Sequence, residues 1–226
     1  MSYLEIIRLL EGEDADLKNI LFIAPPAAGK GTQSDLLMEK LNYKHISTGD
    51  LLRELDKTTP LGKEVAELIN AGKLVSDEIV LQLLKDKLLS LDESDAFILD
   101  GFPRNLNQAN ELDKLLSEIN KNLDLVIELD VPFDTCLKRA TGRIICPKCH
   151  KSYNKFFMQP KEEGICDACG SNLIVRNDDN EETFKERYNT YLETTMPLIK
   201  YYEEQGKLIK VDGINDTFEK IVSVVK

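Results

Sequence analysis

Apolar residues recur along this chain in two rhythms. Short apolar runs at Ile20 to Ile23, Ala96 to Leu99 (closed by Asp100), Leu123 to Leu129 and Lys207 to Val211 have the length of buried strands. His45-Ile46-Ser47-Thr48-Gly49-Asp50 ends a further short strand and caps a helix. Between these runs the apolar positions fall at helical spacing. The pattern predicts a helix over about 31–41 and several short helices over 50–90. Leu51, Leu52 and Leu55 carry the first of these, then Val65, Leu68 and Ile69, then Ile79, Val80, Leu83, Leu84 and Leu88. Residues 1–12 read as an amphipathic helix, with Leu4, Ile7, Leu9 and Leu10 near one stripe, packed on its own domain or offered to a partner. Strands separated by helices predict an α/β fold with a parallel sheet, whose sites lie at the C-terminal ends of the strands. The stretch from Cys146 to Val175 breaks the rhythm. It is rich in Lys, Gly, Cys and Asn and reads as an inserted mini-domain.

Composition narrows the function classes. The 226 residues suffice for one sizeable core with small insertions. Lys+Arg 29 against Asp+Glu 40 leaves a net charge of −11, which disfavours non-specific binding to nucleic acid or to an anionic membrane. An anionic substrate would need a locally basic cleft. No apolar stretch has the length of a membrane span, and the N-terminus lacks the basic start and apolar core of a signal peptide. These features point to the cytoplasm, where thiols stay reduced.

Asn19 to Ser34, NILFIAPPAAGKGTQS, carries the first chemistry. A buried strand runs into a tight Pro/Ala/Gly loop, and Gly29-Lys30-Gly31-Thr32 opens a helix. In a phosphate-binding P-loop of this layout, backbone N–H groups and a helix N-terminus face an anion while one Lys reaches the terminal phosphates. Against the general pattern, Ala24 stands where Gly is usual, and the hydroxyl comes one residue late, at Thr32.

Cysteine spacing carries the second. Cys146-Pro-Lys-Cys149 and Cys166-Asp-Ala-Cys169, sixteen residues apart, form two C-x-x-C knuckles. Four thiolates complete a closed tetrahedral zinc site, which leaves no open position and so reads as structural. Two disulfides are the alternative, disfavoured by the compartment. Cys136 reads as a buried apolar residue. Arginine placement is the third signal. Arg139 and Arg143 precede the knuckles, Arg176 and Arg187 follow them, Arg104 follows Asp100-Gly101-Phe102-Pro103, and Arg53 follows Thr48-Gly49-Asp50. In an acidic protein this set suggests a polyphosphate site, since the guanidinium fork binds phosphate oxygens bidentately.

From Asn19 to Lys226 the chain resembles the adenylate kinases, in their long-lid, zinc-carrying form. The resemblance rests on Gly29-Lys30-Gly31-Thr32-Gln33, Ser47-Thr48-Gly49-Asp50 with Arg53, Lys73-Leu74-Val75, Asp100-Gly101-Phe102-Pro103-Arg104 with Gln108, Thr141-Gly142-Arg143, the four cysteines, and Arg176-Asn177-Asp178-Asp179 with Arg187. It implies a P-loop NTPase-like parallel sheet core with helices on both faces (residues 19–46, 77–141 and 180–226) after an N-terminal extension (1–18). It also implies a helical nucleoside-monophosphate-binding insert (47–76) and a zinc-binding lid (142–179) over the donor nucleotide. The implied reaction is Mg·ATP + AMP ⇌ 2 ADP. Ala27, Ala28, Gly29, Lys30, Gly31 and Thr32, with Arg139 and Arg143, are implied for ATP. Thr48, Arg53, Lys73, Val75, Gly101, Arg104, Gln108, Arg176 and Arg187 are implied for AMP. Lys30, Arg104, Arg139, Arg143, Arg176 and Arg187 would neutralise the transferring charge, and Asp100 would orient water on Mg²⁺. A monomer is expected, with no nucleic acid or membrane partner.

The loop departs from the family's usual Gly-x-Pro-Gly-x-Gly-Lys-Gly-Thr, because Ala24 and Ala27 replace glycines and Pro25 adds a second proline. If Ala27 takes a positive φ, the strain is about 1–2 kcal/mol. Two alternatives therefore stay open: a kinase for GTP and AMP or another nucleoside monophosphate, and a weakly catalytic nucleotide-binding regulator.

Overall fold

Strands covered on both faces must be apolar on both faces, and β1 (Ile20–Ile23) is fully buried along its length. The computed structural model describes residues 17–70, 75–149, 151–176 and 179–226. After β1 come α1 (Lys30–Leu41), β2 (Lys44–Ser47), α2 (Thr48–Glu54), α3 (Pro60–Asn70), α4 (Asp77–Leu89), β3 (Phe97–Asp100), α5 (Leu106–Glu118), β4 (Leu125–Asp130) and α6 (Phe133–Thr141). The short strands β5 (Arg143–Ile145) and β6 (Ser152–Asn154) follow. Then come α7 (Glu181–Thr190), a π-helical turn at Tyr191–Thr195, α8 (Pro197–Glu204), β7 (Leu208–Asp212) and α9 (Thr217–Val225).

Five strands pair in parallel in the order β2-β3-β1-β4-β7. Side-chain alternation divides the core in two. Ile20 and Phe22 pack with Ile98, Ile127, Val211 and Ile221 on one face. Leu21 and Ile23 pack with Leu99, Val126, Leu112 and Leu198 on the other. Each fully buried Leu or Ile contributes about 1.5–3 kcal/mol, so the sheet is a rigid platform for whatever sits at its C-terminal edge. Loops leaving Ile23, Ser47 and Asp100 share that edge, because Ser47 pairs with Asp100 and Leu21 with Leu99.

The five sheet strands fall where the apolar runs place them, with shifts of a residue or two at the ends. β4 begins at Leu125 because pairing with Ile20 begins there; Leu123 is buried without pairing. The antiparallel β5–β6 hairpin was not legible in the periodicity, since each strand has three residues. The helix expected over residues 1–12 lies outside the described residues. At their start, the Lys18 amide and ammonium donate to the carbonyls of Val225 and Val224 (3.0 and 2.6 Å), which ties this end of the chain to α9.

Candidate active site

The loop between β1 and α1 turns twice through left-handed backbone. Ala27 has φ 60° and Gly29 has φ 105°. Glycine adopts such angles freely; for an alanine the cost is about 1–2 kcal/mol. Ala27, which stands where the family's loop usually has glycine, thus takes the positive φ with its methyl group in place. The Ala28 amide donates to the Pro25 carbonyl at 3.2 Å, closing the turn. Lys30 is the first residue of α1, and its ammonium reaches back to the Ala24 carbonyl at 3.3 Å. Gly31 and Thr32 in the same first turn are exposed. A helix start with no acidic residue in its first turn suits an anion, because the first-turn amides of a helix lack intrahelical acceptors. Burial pushes the Lys30 ammonium below its ordinary value of 10.5. Asp100 opposes that push, and Arg104 and Arg187 reinforce it. Lys30, Asp100, Arg104 and Arg187 therefore share one field, although they come from four separate stretches of sequence.

Asp100 ends β3, and its carboxylate Oδ2 lies 3.5 Å from His45 Nε2 on the paired strand β2. Burial alone would raise its pKa; the His45 contact and the Lys30 charge outweigh burial and hold the carboxyl below its ordinary range. Gly101 follows with φ 86°, where a Cβ would come within 2.9 Å of Thr48 Oγ1 and 3.6 Å of an Arg104 nitrogen. This glycine lets Thr48, itself buried, and Arg104 converge on one small space. Arg104 is fixed twice more. Its Nε donates to the Gly101 carbonyl (2.8 Å), and its backbone amide donates to Gln108 Oε1 (2.7 Å). Gln108 spends its other end on Asp77, donating from Nε2 at 2.7 Å. Thr195, in the π-helical turn, donates to the Arg104 carbonyl at 3.1 Å. Such turns often mark functional sites. Neither His45 nor Thr195 was expected as a supporting residue. His45 pairs with Ile98, two residues before Asp100 and on the same strand face; nothing local points to Thr195.

The remaining arginines are paired, exposed or held by backbone. Arg53 pairs with Asp50 on α2 and lies over Gly49. Arg143 pairs with Asp179 at 2.9 Å, and the Asp179 side chain is only 1% exposed. Arg176 and Arg187 are exposed, and Val75 is half-buried beside α4. Lys73 lies outside the described residues. Arg139 is held by backbone: Nη1 donates to the Ala28 carbonyl at 2.7 Å and Nη2 to the Gly213 carbonyl at 3.1 Å. Next to it, Lys138, Phe156 and Phe157 line a cavity of about 360 Å³. Both phenylalanines are more than half exposed. Two adjacent bare aromatics in a polar insertion were a readable signal that the sequence reasoning missed.

The four cysteines converge: their sulfur atoms all lie within 4.8 Å of one another. Cys146 Sγ is 3.4 Å from Cys169 Sγ, and Cys149 Sγ is 3.5 Å from Cys166 Sγ. All are free thiols, so the two-disulfide alternative is not what forms. These distances approach the tetrahedral edge of roughly 3.8 Å set by ~2.3 Å zinc–sulfur bonds, so the residues fit a metal ion. Tyr153 takes the Asp167 amide proton at 2.8 Å and offers its own hydroxyl to Cys166 (3.5 Å). That contact is the main reason the Cys166 thiol falls to about 6, which favours the thiolate a metal requires. Cys136 is buried, as expected, and burial raises its thiol to about 11.

No helix among the described residues is long and apolar enough to cross a membrane. Residues 22–207 match the family model for adenylate kinase. The chain is 47% identical to the adenylate kinase of Thermodesulfovibrio yellowstonii, over 92% of this chain and 98% of that protein. It is 45% identical to that of Oceanobacillus iheyensis over 92% and 99%, and 47% identical to that of Archaeoglobus fulgidus over 88% and 92%. Identity of this extent along nearly the whole length, with a family model matched over most of the chain, shows that the chain belongs to the adenylate kinase family.

Proposed function

We propose that the cleft at the C-terminal edge of the sheet carries out the reversible transfer Mg·ATP + AMP ⇌ 2 ADP with a definite division of labour. The observation that carries this reading is the left-handed loop at Ala27 and Gly29 that leads into Lys30 at the start of α1, on the sheet edge where Asp100 ends β3, with Lys30 inside the field of Asp100, Arg104 and Arg187. Phosphoryl transfer requires in-line placement and charge neutralisation more than acid–base groups. The amides of Ala27 to Thr32 would cradle the donor phosphates, and Lys30 would follow the transferring group. A cation held in a dehydrated, partly cationic pocket is ready for an incoming phosphate, whose charge relieves its electrostatic cost. Arg143, Arg176 and Arg187 would neutralise charge as the insert at 142–179 closes and excludes water. The cavity of Lys138, Phe156 and Phe157 has the flat apolar walls that suit a donor base.

On the acceptor side, Arg53 and Arg104 would take the AMP phosphate, with Arg176 and Arg187 on its other side. Thr48, Gly101 and Gln108, with the backbone near Lys73 and Val75, would read adenine. Gln108 must release Asp77 or Arg104 to do so. The anionic carboxylate of Asp100 would orient water around Mg²⁺, which supplies charge neutralisation along the phosphates. Cys146, Cys149, Cys166 and Cys169 would hold structural zinc. We place residues 47–76 as the acceptor insert and 142–179 as the lid on a core of 19–46, 77–141 and 180–226. A cytoplasmic location agrees with the free cysteines, and we take the enzyme to be a monomer.

The test is ADP formation from ATP and AMP with Mg²⁺, beside a Lys30→Met control and a GTP arm. Turnover of about 10 s⁻¹ or more that the control abolishes supports the reading. No ADP above the control from folded protein overturns it, and faster turnover with GTP moves the donor base.

A further inference from the structure

Arg139 occupies the last turn of α6, and its guanidinium is spent on two backbone carbonyls from distant segments. One is Ala28, in the phosphate loop; the other is Gly213, just beyond β7. A third segment holds Arg139 itself, because Asn154 Nδ2 on β6 donates to its carbonyl at 2.9 Å. Gly142 is buried at this junction, where a Cβ would come within 2.7 Å of Asn154 Oδ1. Gly213 is equally constrained: a Cβ there would meet Val131 Cγ2 at 2.3 Å.

A loop that turns its amides toward an anion must turn carbonyls away from it, and those carbonyls need donors of their own. Ala28 is the peptide between the two left-handed residues, Ala27 and Gly29. Its carbonyl has a charged donor at 2.7 Å, and hydrogen bonds from ionised donors are about twice as strong as neutral ones. A Cβ built on Gly29 would lie 3.6 Å from the same Nη1, so the guanidinium also lies against the outer side of the arch. Strained backbone persists where its surroundings over-determine it. Ala27 is the strained residue here, and Arg139 is the side chain that grips the next peptide.

We infer that Arg139 is a positioning residue for the donor phosphates: by fixing the Ala28 carbonyl it holds the Ala27–Gly29 arch in its anion-binding shape against the strain of alanine at position 27. This rests on the reading that the loop binds donor phosphates. Arg139 thus acts through the loop, and its grip matters more in this chain than it would with glycine at that position.

The experiment measures binding of inorganic tripolyphosphate with Mg²⁺ to the full, metal-loaded chain. It compares the unaltered protein, Arg139→Met, Ala27→Gly and the double substitution. Tripolyphosphate has no base, so stacking plays no part. Arg139→Met is expected to weaken binding about tenfold, and in the Ala27→Gly chain at least about threefold less than that, because coupled residues are non-additive. In turnover, KM for ATP rises while KM for AMP stays within about twofold. An equal fold loss with and without Ala27→Gly overturns the inference, since direct contact with phosphate would be additive. Unchanged tripolyphosphate binding overturns it as well. If Arg139→Met does not fold, Arg139→Lys carries the same cycle. It keeps the charge but lacks the two-pronged fork, so near-full binding would show direct neutralisation and overturn positioning. Binding needs no turnover, so a chain that made no ADP would overturn the reaction proposed above, and the cycle would still decide this inference.

Discussion

Arg143 and Asp179 face each other at 2.9 Å across the base of the insertion, one at the start of β5 and the other just before α7. Their pairing joins the two chain crossings between the sheet and the cysteine-bearing segment. The Asp179 side chain is 1% exposed and that of Arg143 is 23% exposed, so the pair is shielded from salt. Asp179→Asn keeps the shape and removes the charge. We expect it to cost about 1–3 kcal/mol, the usual penalty for a buried charged group that loses its partner, read as a lower thermal midpoint. An unchanged midpoint would mean that the pair adds nothing to stability at the base of the insertion.

Ala27 gives a prediction of opposite sign. Its φ of 60° costs an alanine about 1–2 kcal/mol, and glycine would lose part of that gain to its larger unfolded-state freedom. Ala27→Gly should therefore leave stability equal or up to about 1 kcal/mol higher, with activity equal or higher. Urea denaturation and ADP formation check this. A large loss of activity would show that the methyl group itself shapes the loop.

The partly desolvated ammonium of Lys30 opposes folding when no anion is bound. Its folded pKa lies below the ordinary 10.5, chiefly through burial. The unfolded chain thus binds more protons than the folded one between those two values, and stability rises with pH across that window. Below it the cost is fully present. Lys30→Met should melt higher than the unaltered chain at pH 7 without nucleotide, and the difference should shrink as pH approaches 10.5. ATP should reverse the order at neutral pH. A lower midpoint for Lys30→Met in the nucleotide-free protein would refute this account of the pocket.

Cys149→Ser removes one of four converging sulfurs. Metal content should fall, and melting should come earlier by an amount a chelator reproduces in the unaltered chain. The small cluster of Cys146, Tyr153 and Cys166 has few other apolar contacts, so little else would hold this segment. Metal content and melting that both stay put would sink the structural-metal reading.

Local chemistry sufficed for much of this protein. The apolar runs, the lysine after a glycine at a helix start, and the paired cysteines are each specified within a few consecutive residues, so strands, phosphate loop and metal knuckles could be read directly. Even the strain at Ala27 was foreseeable, because alanine stands where a loop of this kind turns left-handed. The partnerships were not foreseeable. Arg139 meets Ala28 across 111 positions and Gly213 across 74, and Thr195 meets the Arg104 carbonyl across 91. Gln108 bridges Arg104 and Asp77, a pairing the sequence did not announce. A side chain's residue type states which bonds it can make; only the packing of sheet, helices and insertion decides which donor stands opposite which acceptor. For that reason the phosphate loop was visible as a motif, while the arginine that holds its shape emerged only from the fold.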